Sequence, residues 1–377
     1  MIQLIFLGAF GLLLYSYCLY PLLLLFLPQR SNANDKKRAE YGFQSTSWPS
    51  ISLLLAAHNE EKVITEKISN FLDCQYSGRR EMIIVSDGST DRTIDLANSF
   101  DDPRIHVIVQ DTRTGKGAAI NRAAAEARGE ILVFTDANTF FTEATLIELV
   151  RPFSKPNVGL VTGCTRYTEG TVGSLYQRYE QMLKRLESRG GVVATADGAI
   201  YAMRRSLWHQ HDPGLINDFL HPILVNLDGS DAILAPEAVC SEEFSIDNEF
   251  ARQVRMVAQA SFVYLSMLPR MLRGRQWRSV LVLTSHKLLR WLSAPLLVLM
   301  AGASLWLEPR GGLYRSFVLA EGAFVLLVIA GAFARKLGLS ERFSVAYQFI
   351  VLNCAAAVGL WRCLAGAVPV VWQPRGE

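Results

Sequence analysis

The chain has few cysteines and none in pairs. Cys18, Cys74, Cys164, Cys240, Cys354 and Cys363 are scattered without Cys-x-x-Cys spacing, and three of them sit in apolar segments. That pattern excludes a cysteine zinc site and a disulfide framework as organising features, and it fits a reducing compartment. Charge of either sign is absent from Ile2 to Leu27, and about 20 apolar residues already span a bilayer core. With no basic stretch before this run and no small-residue cleavage site after it, a retained anchor is expected in place of a cleaved signal peptide. Acidic residues are absent from Phe262 to Arg290, where Arg270, Arg273, Arg275, Arg278, Lys287 and Arg290 alternate with Leu, Met, Val and Trp277. A cationic amphipathic segment running into an apolar block predicts contact with anionic headgroups and argues against nucleic acid as partner. A large net charge is missing as well, since 38 basic and 35 acidic residues leave only +3.

What the chain does hold is apolar length. Half of its 377 residues are hydrophobic, and three later blocks, Leu288 to Leu307, Tyr314 to Ala334 and Phe343 to about Leu360, each approach one bilayer crossing. Basic residues flank them: Arg30, Lys36, Lys37 and Arg38 follow the first run, and Arg335, Lys336 and Arg342 separate the last two. By the positive-inside rule both basic segments face the cytoplasm, which predicts a multi-pass inner-membrane protein whose polar middle is cytoplasmic. Arg362 is expected at an interface, because a charge at the bilayer centre costs about 2.5–3.5 kcal/mol on insertion scales. The organisation so read is an anchor at 1–28, a basic linker at 29–48, a folded domain at 49–245, amphipathic interface helices at 246–290, about three transmembrane helices at 291–372 and a tail at 373–377.

From Pro49 to about Ser245 short apolar runs alternate with helical patterns, the signature of an α/β domain with a mostly parallel sheet. Strands are expected at Ile51–Ala57, Met82–Val85, Ile105–Val109, Ile131–Phe134, Val158–Val161 and Ala199–Met203. Ligands bind such sheets at the carboxyl ends of strands, and polar residues collect there. His58-Asn59-Glu60-Glu61 follows the first strand, Asp87-Gly-Ser-Thr-Asp91 the second, Gly115-Lys116-Gly117 the third and Asp136-Ala-Asn138 the fourth. Asp136 and Asn138 set a carboxylate and a carboxamide side by side where an apolar strand opens to solvent. Such oxygen donors suit a hard divalent cation, Mg or Mn, that takes its remaining ligands from water and substrate phosphates. Taken singly, each of the four has a competing reading as a turn whose side chains bond nearby backbone.

In order, Ala56-Ala-His-Asn-Glu-Glu61, Val85-Ser-Asp-Gly-Ser-Thr-Asp91, Gly115-Lys-Gly-Ala-Ala-Ile-Asn121 and Thr135-Asp-Ala-Asn138 resemble the successive motifs of membrane-bound family 2 glycosyltransferases of the GT-A fold. That group includes bacterial exopolysaccharide, cellulose and hyaluronan synthase-like enzymes. The likeness extends to the flanking anchors and to Ser285-His-Lys-Leu-Leu-Arg-Trp291. It implies that Glu60 and Asp87 lie against the nucleoside of a donor, with His58 and Asn59 in the same donor-binding stretch. Lys116 would lie near the nucleotide, and Asp136 and Asn138 would face ribose, metal and diphosphate.

Asn217-Asp218-Phe219 matches the place where this family keeps a Glu-Asp pair whose Asp is the catalytic base. Asp218 inherits that role, while Asn217 departs from the pattern and is expected to cap the helix that begins there. Arg252, Arg255 and Gln259 share a helix face and resemble the Q/RxxRW motif of processive synthases, whose polar members hold the donor diphosphate. A solvated helix face is the competing reading. Met256 stands where the motif has a tryptophan that stacks on the acceptor sugar, which weighs against long-chain polymerisation. Asp197-Gly198-Ala199 resembles the small-residue loop beside donor sugar and acceptor, and its alternative is a strand-entry turn.

The resemblance thus implies inverting transfer of a hexosyl or N-acetylhexosaminyl group from a nucleotide sugar, most readily a UDP-sugar, to a saccharide or lipid-linked acceptor. Mg or Mn would assist, and export or polymerisation partners would join at the membrane. Two rivals remain: transfer to a polyprenyl phosphate, which needs no base, and a non-catalytic membrane partner that binds nucleotide sugars.

Overall fold

A computed structural model describes residues 1–27, 48–167, 173–242, 249–339 and 341–368. The first helix, α1 (Ile2–Phe26), lies where an anchor is expected, and it contains one π turn at Tyr15–Leu19. The basic linker with Arg30, Lys36, Lys37 and Arg38 lies outside the described residues.

The domain that follows runs β1 (Ile51–Ala57), α2 (Ile64–Asp73), β2 (Arg80–Asp87), α3 (Thr93–Asn98), β3 (Ile105–Gln110), α4 (Lys116–Glu126), β4 (Ile131–Thr135), β5 (Thr139–Phe141), α5 (Thr145–Val150), β6 (Val158–Tyr167), α6 (Gly173–Ser188), β7 (Ile200–Arg204), α7 (Asn217–Leu227) and β8 (Asp231–Glu242). The strands form one sheet in the order β3-β2-β1-β4-β7-β6-β8-β5.

Alternation along β1 explains why the sheet is buried on both faces. Ile51, Leu53, Leu55 and Ala57 enter one apolar layer with Ile64, Ile68 and Phe71 of α2, whereas Leu54 enters the other with Ala119, Ile120 and Ala123 of α4. Strands covered on both faces read as continuous apolar runs, which makes β1, β2 and β4 legible, whereas the edge strand β3 is partly exposed and reads from its β-branched residues. Four of the seven strand pairings are parallel, and β7 enters antiparallel between β4 and β6. β5 and β8 were not expected from the sequence. The first has three residues, and the second carries Pro236 and two glutamates through a register irregularity opposite β6, as proline in a strand requires.

After the sheet come α8 (Glu249–Arg273), α9 (Trp277–Trp291), α10 (Ser293–Leu307), α11 (Gly312–Lys336) and α12 (Val345–Leu364). Among the described residues α1, α11 and α12 are long and apolar enough to cross a membrane, and α9 with Ser293–Arg310, bent by 59°, makes a fourth if counted as one span. Phe6 of α1 meets Tyr314 and Phe317 of α11 edge-on at 5.3 and 5.0 Å. Arg362 is exposed on the last turn of α12. A second π turn, Thr284–Leu288 in α9, faces the first: the Tyr15 hydroxyl is 2.9 Å from Ser285 Oγ, and Ser16 Oγ donates to the Ser285 carbonyl at 3.4 Å.

Candidate active site

The carboxyl ends of β1 and β2 are laced together before any ligand is considered. Asp87, only 2% exposed, accepts the Thr114 amide at 2.7 Å and hydroxyl at 3.0 Å on Oδ1, and the Gly115 amide at 2.8 Å on Oδ2. Gly115 has a φ of 97°, a conformation open chiefly to glycine, and it delivers Lys116 to the start of α4. The carboxylate of Asp87 therefore holds the turn that aims Lys116. His58 donates from Nδ1 to the Asp87 carbonyl at 2.8 Å, because a carbonyl can only accept. Asn59, at a positive φ of 54°, accepts the Thr90 amide on Oδ1 at 2.9 Å and gives its own amide to Ser89 Oγ at 3.2 Å. Glu60 gives its amide to Thr93 Oγ1 at 2.8 Å. Burial first, then the charges of Asp136 and Asp91, push its carboxyl up to about 7.

At the end of β4, Asp136 takes a close ion pair from Lys116 Nζ. Burial opposes the Lys116 ammonium, but Asp136, followed by Asp218 and Glu242, outweighs it and leaves the Lys116 pKa raised. Asn138 uses Nδ2 on Glu242 Oε1 at 3.3 Å, so the atom it can offer a cation is Oδ1. Beneath this turn lies Lys67 of α2, 1% exposed, which donates to Thr135 Oγ1 at 2.9 Å and to the Thr139 carbonyl at 2.5 Å, with its ammonium 4.3 Å from the Phe141 ring centroid. Burial pulls the Lys67 pKa down to about 8. Among the described residues no three His, Cys, Asp or Glu side chains form a metal cage. Oxygen atoms of Asp136 and Asn138 are nevertheless the hard donors that Mg or Mn takes, provided that further ligands come from elsewhere.

Asp218 sits in the first turn of α7. Its carbonyl accepts the Ala196 amide at 2.8 Å and the Thr195 hydroxyl at 3.2 Å, which fixes the 194–198 loop against the helix. Burial raises its carboxyl pKa, Asp136 and Asp197 add to the rise, and Lys116 opposes it. Gly198 leaves room for this group, since a Cβ there would come within 2.8 Å of Asp218 Oδ2. Asp197 turns inward, accepting the Thr165 amide at 3.1 Å, the Thr165 hydroxyl at 2.9 Å and the Ala199 amide at 3.3 Å. Asn217 does not cap α7 as expected. It already lies inside the helix, Ile216 holds the cap position, and Asn217 Oδ1 meets His211 Nε2 at 2.7 Å. The wall behind is Tyr201, stacked on Phe134 at 4.4 Å, with its hydroxyl 3.1 Å from Nδ1 of His221. Burial, helped by His211, pushes His221 down to about 3, so the ring is neutral.

Arg252, Arg255 and Gln259 occupy the first turns of α8. Arg255 is held below the usual guanidinium range by burial and by Arg252 beside it, and Gln259 is buried. On the next face of α8, Val257, Ala260 and Val263 share an apolar cluster with Phe219 and Ile223, which sets the arginine turns alongside the helix that bears Asp218.

The model of glycosyl transferase family 2 matches residues 52–211. Over those residues the chain is similar to family 2 glycosyltransferases. Within the curated relatives, the poly-beta-1,6-N-acetyl-D-glucosamine synthase of Staphylococcus epidermidis is 28% identical over 164 residues, 41% of this chain and 40% of the relative. The probable glycosyltransferase YdaM of Bacillus subtilis is 31% identical over 173 residues, 42% of this chain and 41% of the relative. The chain thus matches about two fifths of the length of these relatives. Among solved structures, the mannosyltransferase PcManGT from Pyrobaculum calidifontis in complex with GDP-Man and Mn2+ superposes with a TM-score of 0.70 at 20% identity, covering 96% of this chain and 97% of the other. At that identity the likeness establishes the fold, GT-A with flanking helices.

Within this domain, Lys67, Glu242 and the Tyr201–His221 pair are not singled out by the sequence. Lys67 left a readable mark, because it is the one cation among Ile64, Ile68 and Phe71 on the buried face of α2. The others gave no local signal, since their partners lie 20 or more positions away.

Proposed function

We propose that this chain is an inverting glycosyltransferase that moves a hexosyl or N-acetylhexosaminyl group from a nucleoside-diphosphate sugar, most readily a UDP-sugar, to a saccharide or lipid-linked acceptor at the cytoplasmic face of the inner membrane. The observation that carries this is the meeting of Asp136, paired with Lys116, and Asp218, beside side-chain-free Gly198, within electrostatic reach of one another. Support comes from the synthase relatives and from the structural neighbour, which holds GDP-Man and Mn2+.

Each residue has a stated part. His58, Asn59, Glu60 and Asp87 shape the nucleoside side. Asp136 and Asn138 would hold Mg or Mn, whose charge would offset that of the leaving diphosphate. Lys116 adds a fixed cation there, and Arg252, Arg255 and Gln259 receive phosphate oxygens. Asp197 and Gly198 border the acceptor. Asp218 takes the proton of the acceptor hydroxyl as its oxygen bonds to the anomeric carbon; the carbon–phosphate-oxygen bond breaks and the nucleoside diphosphate leaves with the electron pair. An acceptor that carries a lipid is favoured by a cavity of about 460 Å³ between α10 and α12, lined by Trp291, Val298, Cys354, Trp361 and Leu364. Trp291 also lies 6.1 Å, ring to ring, from Phe219, the neighbour of Asp218.

The test uses the full chain in detergent with a labelled nucleotide sugar and a bacterial lipid extract. Label is expected to enter the organic phase in a metal-dependent way. Asp218→Asn should slow transfer by about 10²–10⁴, the usual worth of a positioned base, with donor affinity retained. Near-normal transfer by Asp218→Asn would remove the base and favour a phosphate acceptor, and absence of transfer by the unaltered protein would favour a binding partner.

A further inference from the structure

Glu187, near the end of α6, is 2% exposed and serves three parts of the chain at once. Its Oε1 accepts the Tyr20 hydroxyl of α1 at 2.8 Å and lies 2.6 Å from His286 Nδ1 of α9; its Oε2 accepts the Ala194 amide at 3.1 Å. The other ring nitrogen of His286 meets both oxygens of Glu180 at 3.0 and 3.2 Å, and Lys287 and Arg290 converge on the same carboxylate. A buried carboxylate is costly unless its lone pairs are filled, so each donor to Glu187 holds the other two in place.

Ala194 opens the loop whose Thr195 and Ala196 grip the Asp218 carbonyl and whose Gly198 faces the Asp218 carboxylate. Three hydrogen bonds in series, Tyr20 to Glu187, Ala194 to Glu187 and Ala196 to Asp218, therefore join α1 to the main chain of Asp218.

We propose that Glu187, braced by Tyr20 and His286, is a positioning residue for sugar transfer: it fixes the 194–198 loop, and through it the Asp218 carboxylate, so that the membrane anchor takes part in setting the reacting geometry. This rests on Asp218 as the base. It gives the Ser285-to-Trp291 segment a task, because His286, Lys287 and Arg290 all act on α6.

The experiment compares variants of the full chain in detergent. Glu187→Gln keeps the size but turns an amide NH2 toward one of three donors. It should lower kcat about 10–100-fold, the scale of a misplacement near 1 Å, while donor KM shifts less than about threefold and the melting temperature stays close to that of the parent. Tyr20→Phe leaves the Ala194 bond intact and should lose less than Glu187→Gln. If Glu187→Gln does not fold, His286→Leu is the replacement, and a lower kcat at unchanged donor affinity is expected. Unchanged kcat in a folded variant, or kcat, donor affinity and melting temperature falling together, overturns the proposal. An inactive Asp218→Asn beside a fully active Glu187→Gln overturns only the positioning; an active Asp218→Asn overturns both.

Discussion

At the scale of single residues, the place of the Asp218 carboxylate depends on an atom that is not there. A methyl group at Gly198 would press on Asp218 Oδ2, the free end of a side chain, and not on backbone. The carboxylate can swing away at little cost to folding, but it then leaves its place. Gly198→Ala is therefore expected to cut kcat at least about tenfold while shifting stability by less than about 1 kcal/mol; thermal melts alongside steady-state kinetics check it. Titration should report the same carboxylate. Burial raises the Asp218 pKa and Lys116 restrains the rise, so the acid limb of kcat in the parent should lie above the ordinary aspartate value of about 4. A base works only when ionised, so activity is present above that limb and lost as pH falls through it.

Secondary elements carry the next level of constraint, and Lys67 shows how. It stands on the apolar face of α2 and holds the turn between β4 and β5 from below. Lys67→Met leaves the Thr139 carbonyl without its donor, a loss of about 1–3 kcal/mol, partly offset by removing a buried ammonium. It should also weaken metal-dependent donor binding about 10–100-fold, as loss of an outer-shell support does. Urea unfolding and donor titrations with and without Mn2+ measure the two effects, and an unchanged metal response would show that the turn stands without Lys67. Legibility follows the same division. β1, β2 and β4 and their polar ends could be read because doubly covered strands are continuously apolar and their last residues are abruptly not, and β3, at the sheet edge, could be read from its run of Ile and Val. β8 could not, because Pro236 and its glutamates disguise a strand that pairing with β6 and β5 sustains. Asp136 and Asp218 were legible as motifs. The Glu187–His286 contact was not, since it spans 99 positions and leaves no local period.

Taken whole, the molecule is a sheet domain whose lower helices are shared with apolar spans. The proposed orientation rests on the cationic segment at Arg335 and Lys336. A cysteine placed at position 338 should resist membrane-impermeant maleimide in intact cells and react once they are opened; reaction in intact cells would put the donor site on the wrong side for cytoplasmic nucleotide sugars. The paired π turns in α1 and α9 bear on how such a molecule tolerates change in chain length. Each π turn is one residue more than an α-helix needs, and one residue is about 100° of helical phase. Removing a single residue from Tyr15–Leu19 would therefore close the turn to the ordinary α-helical repeat and leave the phase of the preceding part of α1 nearly unchanged, so that Phe6 and Ala9 keep the cluster they form with Met300, Ala303 and Leu307. The same deletion in the regular part of α1 would turn everything before it by that angle, whereas here it is spent on the contacts between the two π turns, such as that of Ser16 with Ser285.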